Sequence, residues 1–446
     1  MSTQLRRAVA SSFLGSMIEY YDFLLYATAS AVVFGKVFFA DLDPALATVA
    51  SFGTFTTGYL ARPLGGLLFG HFGDRLGRKR MLVLTMTLMG VASFLIGLLP
   101  GYDQIGPVAP LGLVLLRVVQ GIAVGGEWGG AVLMSAEHAR SRRGLWAGFT
   151  NAGAPSGMVV STLVMSATAG LTSEADFLAW GWRIPFLFSI VLLAIGLFVR
   201  SRVDETPAFL AARKEERRRL PVVAVLRDHP RALLLSVGVG LAAFVVQATL
   251  TTFVLAYGVQ HGHPRQEVLN ALTLSSACAV AGILLWSALS DRIGRRPVVL
   301  AGVAAMAVFG FLLFPMVRSG SGLLLVLALV IGQGVIHPMM YGPLAALYSE
   351  LFSTGNRYTG ASLGYQLAGL GAGFAPLIFA ELQRANGGGS TTPVSWTIAA
   401  FCVLSAVCVL ALRETHRRDL TPDLVPDLVP DLAPAVPAPT HQEGSR

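Results

Sequence analysis

Long apolar runs alternate with short polar breaks along most of this chain. A membrane-crossing helix takes about 20 mostly apolar residues, and about twelve runs here are long enough. They lie near residues 10–34, 47–71, 81–100, 110–136, 147–170, 184–201, 232–258, 268–289, 297–317, 322–347, 359–382 and 395–413. Glycine and proline recur inside these runs, as membrane helices tolerate. The pattern predicts an all-α integral membrane protein with twelve transmembrane helices.

A basic, glycine-containing turn occurs twice, each time between two apolar runs. The first copy spans residues 70–80 and the second spans residues 290–297, about half a chain length later. The repeat predicts two six-helix bundles, residues 1–200 and 232–413, joined by a cytoplasmic linker at 201–231. Residues 414–446 contain a repeated Pro-Asp-Leu motif and are predicted to form a disordered cytoplasmic tail. Two similar halves around a central site are typical of secondary transporters.

Composition and charge narrow the possibilities further. Hydrophobic residues make up 54% and charged residues 13%, with a mean hydropathy of +0.64. The net charge of +8 could indicate a nucleic-acid partner, but most Lys and Arg fall in alternate breaks. This positive-inside bias predicts that both termini are cytoplasmic and that the basic residues face lipid. The three cysteines all lie in apolar runs, so we expect neither disulfides nor a metal site.

Charged residues inside the predicted spans are the strongest candidates for chemistry, because each is costly in hydrocarbon unless paired or hydrated. The N-terminal half contains five of them: Glu19, Asp22, Arg62, Arg117 and Glu127. Carboxylates can exchange protons, whereas an arginine stays charged and can hold an anion. The set therefore predicts either proton coupling with anion binding or a static ion cluster, and any of the three acids could carry the proton.

The C-terminal half offers fewer charges within its spans. Gln333, His337 and Tyr341 share one face of the tenth predicted helix. His337 could titrate near neutral pH, or it could be a hydrogen-bonded histidine at a kink before Pro338. Uncharged polar residues in this half could orient substrate hydroxyls or join helices: Gln247, Tyr365 and Gln366.

The first basic turn resembles the signature between helices 2 and 3 of the major facilitator superfamily. The resemblance implies charge contacts that hold one conformation closed, through Gly70, Asp74, Arg75, Gly77, Arg78, Glu137 and Arg143. Weaker counterparts in the second half are Asp291, Arg292, Arg295, Glu350 and Arg357. Ser287 stands where Gly70 would align, and these arginines could instead serve only to fix topology.

Motifs over nearly the whole chain up to Arg413 resemble the metabolite:proton symporter family. They are Gly15-x-x-x-Glu19-Tyr20-Tyr21-Asp22-Phe23, Ala61-Arg62-Pro63-Leu64-Gly65-Gly66, Gln120-Gly121-x-x-x-Gly125-Gly126-Glu127-Trp128 and Gly181-Trp182-Arg183-Ile184-Pro185-Phe186. Members carry proline and betaine, 2-oxoglutarate, citrate or shikimate with protons. Among them, this sequence is most similar to shikimate permeases. By analogy with sugar–proton symporters, the resemblance implies that Asp22 is the main proton site with Arg117 as its partner. Arg62 would then bind a substrate carboxylate.

The sequence therefore predicts a proton-coupled symporter of a small organic acid or zwitterion, with a shikimate-like monocarboxylate favoured. Its predicted substrate contacts are Arg62, Tyr26, Gln120, Trp128, Gln247, His337, Tyr341, Tyr365 and Gln366. We expect no enzymatic activity, no cofactor beyond the proton gradient, no nucleic-acid partner, and a functional monomer in a bacterial inner membrane. The alternatives are a proton-coupled drug or metabolite antiporter and, in another class, a membrane sensor or membrane-embedded enzyme.

Overall fold

The structure is a computed structural model that describes residues 3–76, 78–137, 142–201, 221–352, 357–387 and 390–416. Within these ranges the chain is helical, as the sequence predicts. Its long helices are α1 (Thr3–Val32), α2 (Pro44–Leu76), α3 (Arg78–Leu98), α4 (Val108–Gly125, continued by Trp128–Glu137), α5 (Arg143–Leu171), α6 (Arg183–Ser201), α7 (Pro230–Gln260), α8 (Arg265–Ile293), α9 (Arg295–Arg318), α10 (Gly322–Leu351), α11 (Arg357–Ala385) and α12 (Thr392–Ala411).

Each predicted apolar run lies on one of these helices. Short helices occupy some of the breaks, at Phe34–Phe38, Tyr102–Ile105, Glu174–Asp176 and Pro221–Asp228. The long helices extend a few residues beyond most of the predicted runs, since backbone hydrogen bonding does not stop where apolar sequence ends. Residues 202–220 of the predicted linker and the tail from 417 onward lie outside the described residues.

Eight helices in the described part of the chain are long and apolar enough to cross a membrane: α4, α5 and α7 to α12. A ninth is added if the pair Glu174–Gly181 and Arg183–Val199, bent by 42°, counts as one span. Large apolar side chains such as Leu64 and Leu115 are exposed on the outer surface, where lipid would cover them. The protein is therefore a multi-pass membrane protein.

Helices α2 and α4 pack backbone against backbone. A Cβ atom on Gly125 would collide with the carbonyl oxygen of Arg62, and one on Gly121 would collide with that of Gly58. Glycine at these positions lets two membrane helices approach more closely than other residues allow. This close approach leaves Arg62 of α2 within electrostatic range of Arg117 on α4.

Three of the long helices are irregular near their middle. The two segments of α4 are separated at Gly126 and Glu127, and π-helical turns occur at Thr249–Phe253 in α7 and Val330–Ile336 in α10. The second π-helical turn ends directly before His337, at the kink position that the sequence suggested. Such turns often occur at functional sites because they change which side chains face inward.

Candidate transport site

A small buried cavity in the N-terminal half brings the three predicted proton-coupling acids together. Glu19 and Asp22 of α1 line it with Glu127 of α4, alongside Thr85 and apolar side chains of α3 and α6. All three acids are buried. Glu19 also lies within electrostatic range of Arg62.

Asp22 is held by neutral hydroxyl groups. The Ser189 hydroxyl donates a hydrogen bond to its carboxylate, and Ser93 lies within interaction range. Ser93 accepts a hydrogen bond of 2.7 Å from Gln120, whose Oε1 accepts one of 3.1 Å from Arg117. Among the described residues no ion pair joins Arg117 to Asp22. Their predicted partnership is indirect in this structure, through Gln120 and Ser93.

The guanidinium of Arg117 lies in a cage of aromatic rings. Its Cζ is 3.9 Å from the ring centroid of Phe23, 4.1 Å from that of Tyr26 and 5.2 Å from that of Phe55. Cation–π contacts of this kind partly compensate for the loss of water around a buried cation. Nε and Nη2 have no hydrogen-bond partner in the part of the chain that the structure describes. Gly58 leaves the space that this side chain fills.

Arg62 is fully buried where the two halves of the chain meet. Its Nε donates a 2.8 Å hydrogen bond to Oε1 of Gln366 on α11, and Nε2 of Gln366 donates one of 3.1 Å to the Gly125 carbonyl. The ring centroids of Tyr59 and Phe23 lie 5.0 and 5.2 Å from its Cζ. Both Nη atoms lack a hydrogen-bond partner among the described residues. Two such parallel donors match the geometry of a carboxylate.

Aromatic residues from both halves meet beside Arg62. The hydroxyl of Tyr365 is 2.6 Å from that of Tyr20 and 2.7 Å from that of Tyr341, and we call these three residues the tyrosine cluster. The ring of Tyr365 stacks on Trp128 with centroids 3.6 Å apart and an angle of 11°. Arg62, Trp128, Tyr341, Tyr365 and Gln366 therefore form one site between the halves.

The other predicted substrate contacts lie around this central group. His337 is buried and stacks on Tyr341, with centroids 5.3 Å apart. Tyr26 and Gln120 lie with Arg117 in the N-terminal half, and Tyr26 donates a 2.7 Å hydrogen bond to Thr54. Gln247 is buried on α7, just before its π-helical turn.

Sequence reasoning did not single out several uncharged residues of the site. The first motif of α1 contains Tyr20 without assigning it a role, and no sequence pattern points to Ser93 or Ser189. Asn151 of α5 accepts a 3.3 Å hydrogen bond from the Trp128 indole and donates one of 3.0 Å to the Tyr341 carbonyl. Their one signal in the sequence is a polar side chain inside an apolar run, which many structural residues share.

An ion network joins the halves at the face where α1 begins and α12 ends, which we call the terminal face. Both carboxylate oxygens of Asp291 accept hydrogen bonds from the first turn of α5, at 2.8 Å from Gly144 N and 3.0 Å from Leu145 N. Arg295 pairs with Asp291 at 2.8 Å and with Glu350 at 3.1 Å. A carboxylate at a helix N-terminus is favoured by unpaired N–H groups and the helix dipole.

The segment after α12 completes this network. Thr415 donates a 2.6 Å hydrogen bond to Glu350, while the Glu414 carboxylate accepts hydrogen bonds from the backbone N–H groups of Arg295 and Arg296 at 2.9 and 3.0 Å. Partial burial tends to raise the pKa of Glu414, but these N–H groups and two more beside it hold its pKa below the usual value.

Several of the predicted gating residues fall wholly or partly outside the part of the chain that the structure describes. Gly77 is one of them, and only the helical backbone is described for Gly70, Asp74, Arg75, Arg78, Glu137 and Arg357. Arg143 begins α5, and Arg292 is exposed at the terminal face. The structure thus describes contacts for the second copy, which the sequence suggested was the weaker one.

The halves also meet at the opposite face. Glu174, in the connection between α5 and α6, pairs with Arg265 of α8 at 2.7 Å and with Lys36 at 3.4 Å. Closer to the centre, Ser166 of α5 accepts a 2.5 Å hydrogen bond from Gln266. Contacts between the halves therefore occur at both faces and around Arg62, as in an occluded state.

The sequence profile of the Major Facilitator Superfamily matches residues 9–269 and 260–438. The chain belongs to the major facilitator superfamily. It is 39% identical to the shikimate transporter of Escherichia coli K12 over 92% of this chain and 95% of that protein. It is 32% identical to the proline/betaine transporter of the same organism, over 94% of this chain and 85% of that protein.

Solved structures of the superfamily have the same fold. The proton:xylose symporter XylE bound to 6-bromo-6-deoxy-D-glucose matches with a TM-score of 0.74 over 93% of this chain and 97% of that chain. At 18% sequence identity this likeness concerns the fold alone. The resemblance stated from the sequence is confirmed, and the superfamily relatives are membrane transporters rather than enzymes.

Proposed function

We propose that this protein is a proton-coupled symporter of a small organic acid, with a shikimate-like monocarboxylate as the favoured substrate. The observation that carries the proposal is the position of the acid cavity next to Arg62. Proton-accepting groups and an anion-binding group lie within electrostatic range of each other, at the boundary between the two halves.

Glu19, Asp22 and Glu127 supply the proton-binding part. Carboxylates can alternate between charged and neutral forms, and hydroxyl partners such as Ser189 can act as either donor or acceptor. Asp22 therefore keeps a partner in both protonation states. Arg117 stays charged throughout and is a fixed positive charge near the acid. Its hydrogen bond to Gln120, which in turn donates to Ser93, connects it to the surroundings of Asp22.

Arg62 supplies the substrate-binding part. Its two Nη donors favour a carboxylate, and the surrounding rings favour a small, compact molecule with apolar surface. The name of the shikimate transporter, a relative at 39% identity, agrees with a carboxylate substrate. The proline/betaine relative supports the broader class of small acids and zwitterions.

Alternating access would follow from rocking of residues 1–200 against residues 232–413. The terminal face would be cytoplasmic, with α1, α2, α3 and α6 as further spans and a cytoplasmic linker at 201–231, in a bacterial inner membrane. Glu19, Asp22 and Arg62 interrupt the apolar stretches of α1 and α2. Charged residues of this kind occur in membrane-spanning helices that line a polar site. We expect a monomer that uses only protons and substrate, within the lipid bilayer.

Uptake into proteoliposomes tests this function. Labelled shikimate should accumulate when the lumen is alkaline, and much less when the gradient is absent. Asp22→Asn should abolish gradient-driven accumulation but keep exchange of labelled for unlabelled substrate, because exchange requires no net proton release. Ser189→Ala is the matched control, which removes a hydrogen bond to Asp22 without removing the acid.

Two outcomes would contradict the proposal. Accumulation driven by the reverse gradient would indicate an antiporter. Full accumulation by Asp22→Asn would remove Asp22 from the coupling step and leave Glu19 and Glu127 as the candidates.

A further inference from the structure

Two aromatic rings form a flat sandwich across the boundary between the halves. Trp128 belongs to α4 in the N-terminal half and Tyr365 to α11 in the C-terminal half, and the angle between their planes is 11°. Both side chains are buried, at 3% and 0% exposure. The two rings can contact each other only while the halves are together.

The contacts of Tyr365 resemble those that a binding site gives to a ligand ring. One face lies on Trp128, the hydroxyl is hydrogen-bonded to Tyr20 and Tyr341, and the guanidinium of Arg62 lies 5.9 Å from the ring centroid. An aromatic platform, hydroxyl partners at one edge and a nearby cation are what a small hydroxylated ring with a carboxylate requires.

The next residue completes this likeness. Gln366 places an amide oxygen on Nε of Arg62, where a carboxylate oxygen could equally be held. Tyr365 and Gln366 are consecutive on α11, so any movement of that turn of the helix away from α4 vacates the ring position and the oxygen position together. Trp128 stays oriented from within its own half, because its indole donates a hydrogen bond to Asn151.

We propose that Tyr365 and Gln366 are an internal substitute for the substrate, occupying in the empty closed protein the places that a cyclic carboxylic acid takes on Trp128 and Arg62. This inference rests on the proposed transport function and narrows its substrate to ring compounds that carry a carboxylate and a hydroxyl. The empty carrier can then close and return because the substitute fills the site. Substrate binding requires the substitute to move out.

Variants of the two stacked rings test this inference at equal pH on both sides of the proteoliposome membrane. Tyr365→Leu should slow net uptake, which requires return of the empty carrier, on the order of fivefold as expected for one lost aromatic stack. Exchange of shikimate, in which the carrier returns loaded, should change less than about twofold. Tyr365→Phe keeps the ring but loses the two hydroxyl hydrogen bonds, so it should slow net uptake less than Tyr365→Leu does.

Trp128 tests the substrate class. Trp128→Leu should reduce the preference for shikimate over gluconate, an acyclic hydroxylated monocarboxylate, on the order of fivefold, because it removes a stack that only the ring acid can make. Binding is measured by thermal stabilisation of the purified protein in detergent, with Trp128→Phe as the conservative control. This binding assay does not depend on proton coupling, so its failure and a failure of gradient-driven uptake are distinguishable.

Three results would overturn the inference. Equal slowing of exchange and net uptake by Tyr365→Leu would make the ring a packing residue. If Trp128→Leu weakens the binding of shikimate and gluconate equally, the substrate does not stack on Trp128. Failure of shikimate to bind the parent protein, with or without transport of an acyclic acid, would reject a ring-shaped site.

Discussion

The two halves of this molecule bury charge in different places. In the N-terminal half Glu19, Asp22, Arg62, Arg117 and Glu127 are buried within the helices. In the C-terminal half the charged side chains of the described helices lie near helix ends, and its buried pair, Arg295 and Glu350, belongs to the terminal face. The interior of that half contributes tyrosines, amides and His337 instead.

This difference indicates a division of work between halves built on the same repeat. Charge in the middle of a membrane protein is costly and is typical of ion pathways, whereas charge at helix ends can make and break contacts with water nearby. Under the proposed function, the N-terminal half would offer the groups that exchange protons and hold an anion. The C-terminal half would offer neutral substrate contacts, together with the charged side chains of the ion network at the terminal face, which we call the latch.

The largest expected effect concerns the latch. Arg295→Gln removes a cationic partner that Asp291 and Glu350 share, and loss of one partner of a buried ion pair costs about 3–5 kcal/mol. The terminal face should open more often, so a cysteine introduced near Gly148 should react faster with a thiol reagent. Intrinsic substrate affinity should stay near the parent value. A large loss of affinity without faster labelling would show that these charges act in substrate binding. The proposed difference in role between the two halves would then be wrong.

The next effect concerns the anion site. Arg62→Lys keeps the charge but loses the planar pair of donors, and affinity for a carboxylate substrate should fall by about 2–5 kcal/mol, as for other buried charge pairs. A neutral analogue without the carboxylate should be much less affected in the same binding assay. Equal losses for acid and analogue would make Arg62 structural and Arg117 the candidate anion holder.

A smaller effect concerns the space that Arg117 fills. A Cβ on Gly58 would collide with its guanidinium, so Gly58→Ala should destabilise the protein by about 1–3 kcal/mol and reduce transport. Gly53→Ala is a matched control on the same helix, since a Cβ there meets no atom within 4 Å. Equal melting temperatures for the two variants would show that Arg117 rearranges freely and that the aromatic cage is not a fixed part of the site.

The smallest effect is expected at the opposite face. Glu174 is largely exposed, and its pairs with Arg265 and Lys36 are screened by water, so Glu174→Gln should favour opening there by at most about 1 kcal/mol. High salt should reduce the difference further, as measured by labelling of a cysteine on that face. An effect as large as that of Arg295→Gln would mean that both faces are latched equally strongly.

The sequence was sufficient to predict the positions of the helices and of the buried charged residues. Apolar runs of adequate length report spans directly, and an acid such as Asp22 stands out in hydrocarbon because it has few structural uses there. The contacts between these side chains could not be predicted from the sequence in the same way. The partner of Asp22 is a serine of α6, and the partner of Arg62 is an amide of α11, far away in the chain. Neutral partners leave no charge pattern in the sequence, and only the packing of the helices identifies them.

The interruption of α4 at Gly126 and Glu127 has a thermodynamic consequence. Within this single turn the Gly125 carbonyl accepts a hydrogen bond from Gln366, Glu127 lines the acid cavity and Trp128 lies on Tyr365. A shift of the turn alters all three contacts together. By linkage, if protonation of Glu127 changes the affinity of the ring site by some factor, occupation of the ring site changes the proton affinity by the same factor. Substrate titrations at several pH values and proton-release measurements at several substrate concentrations should therefore yield one common coupling free energy.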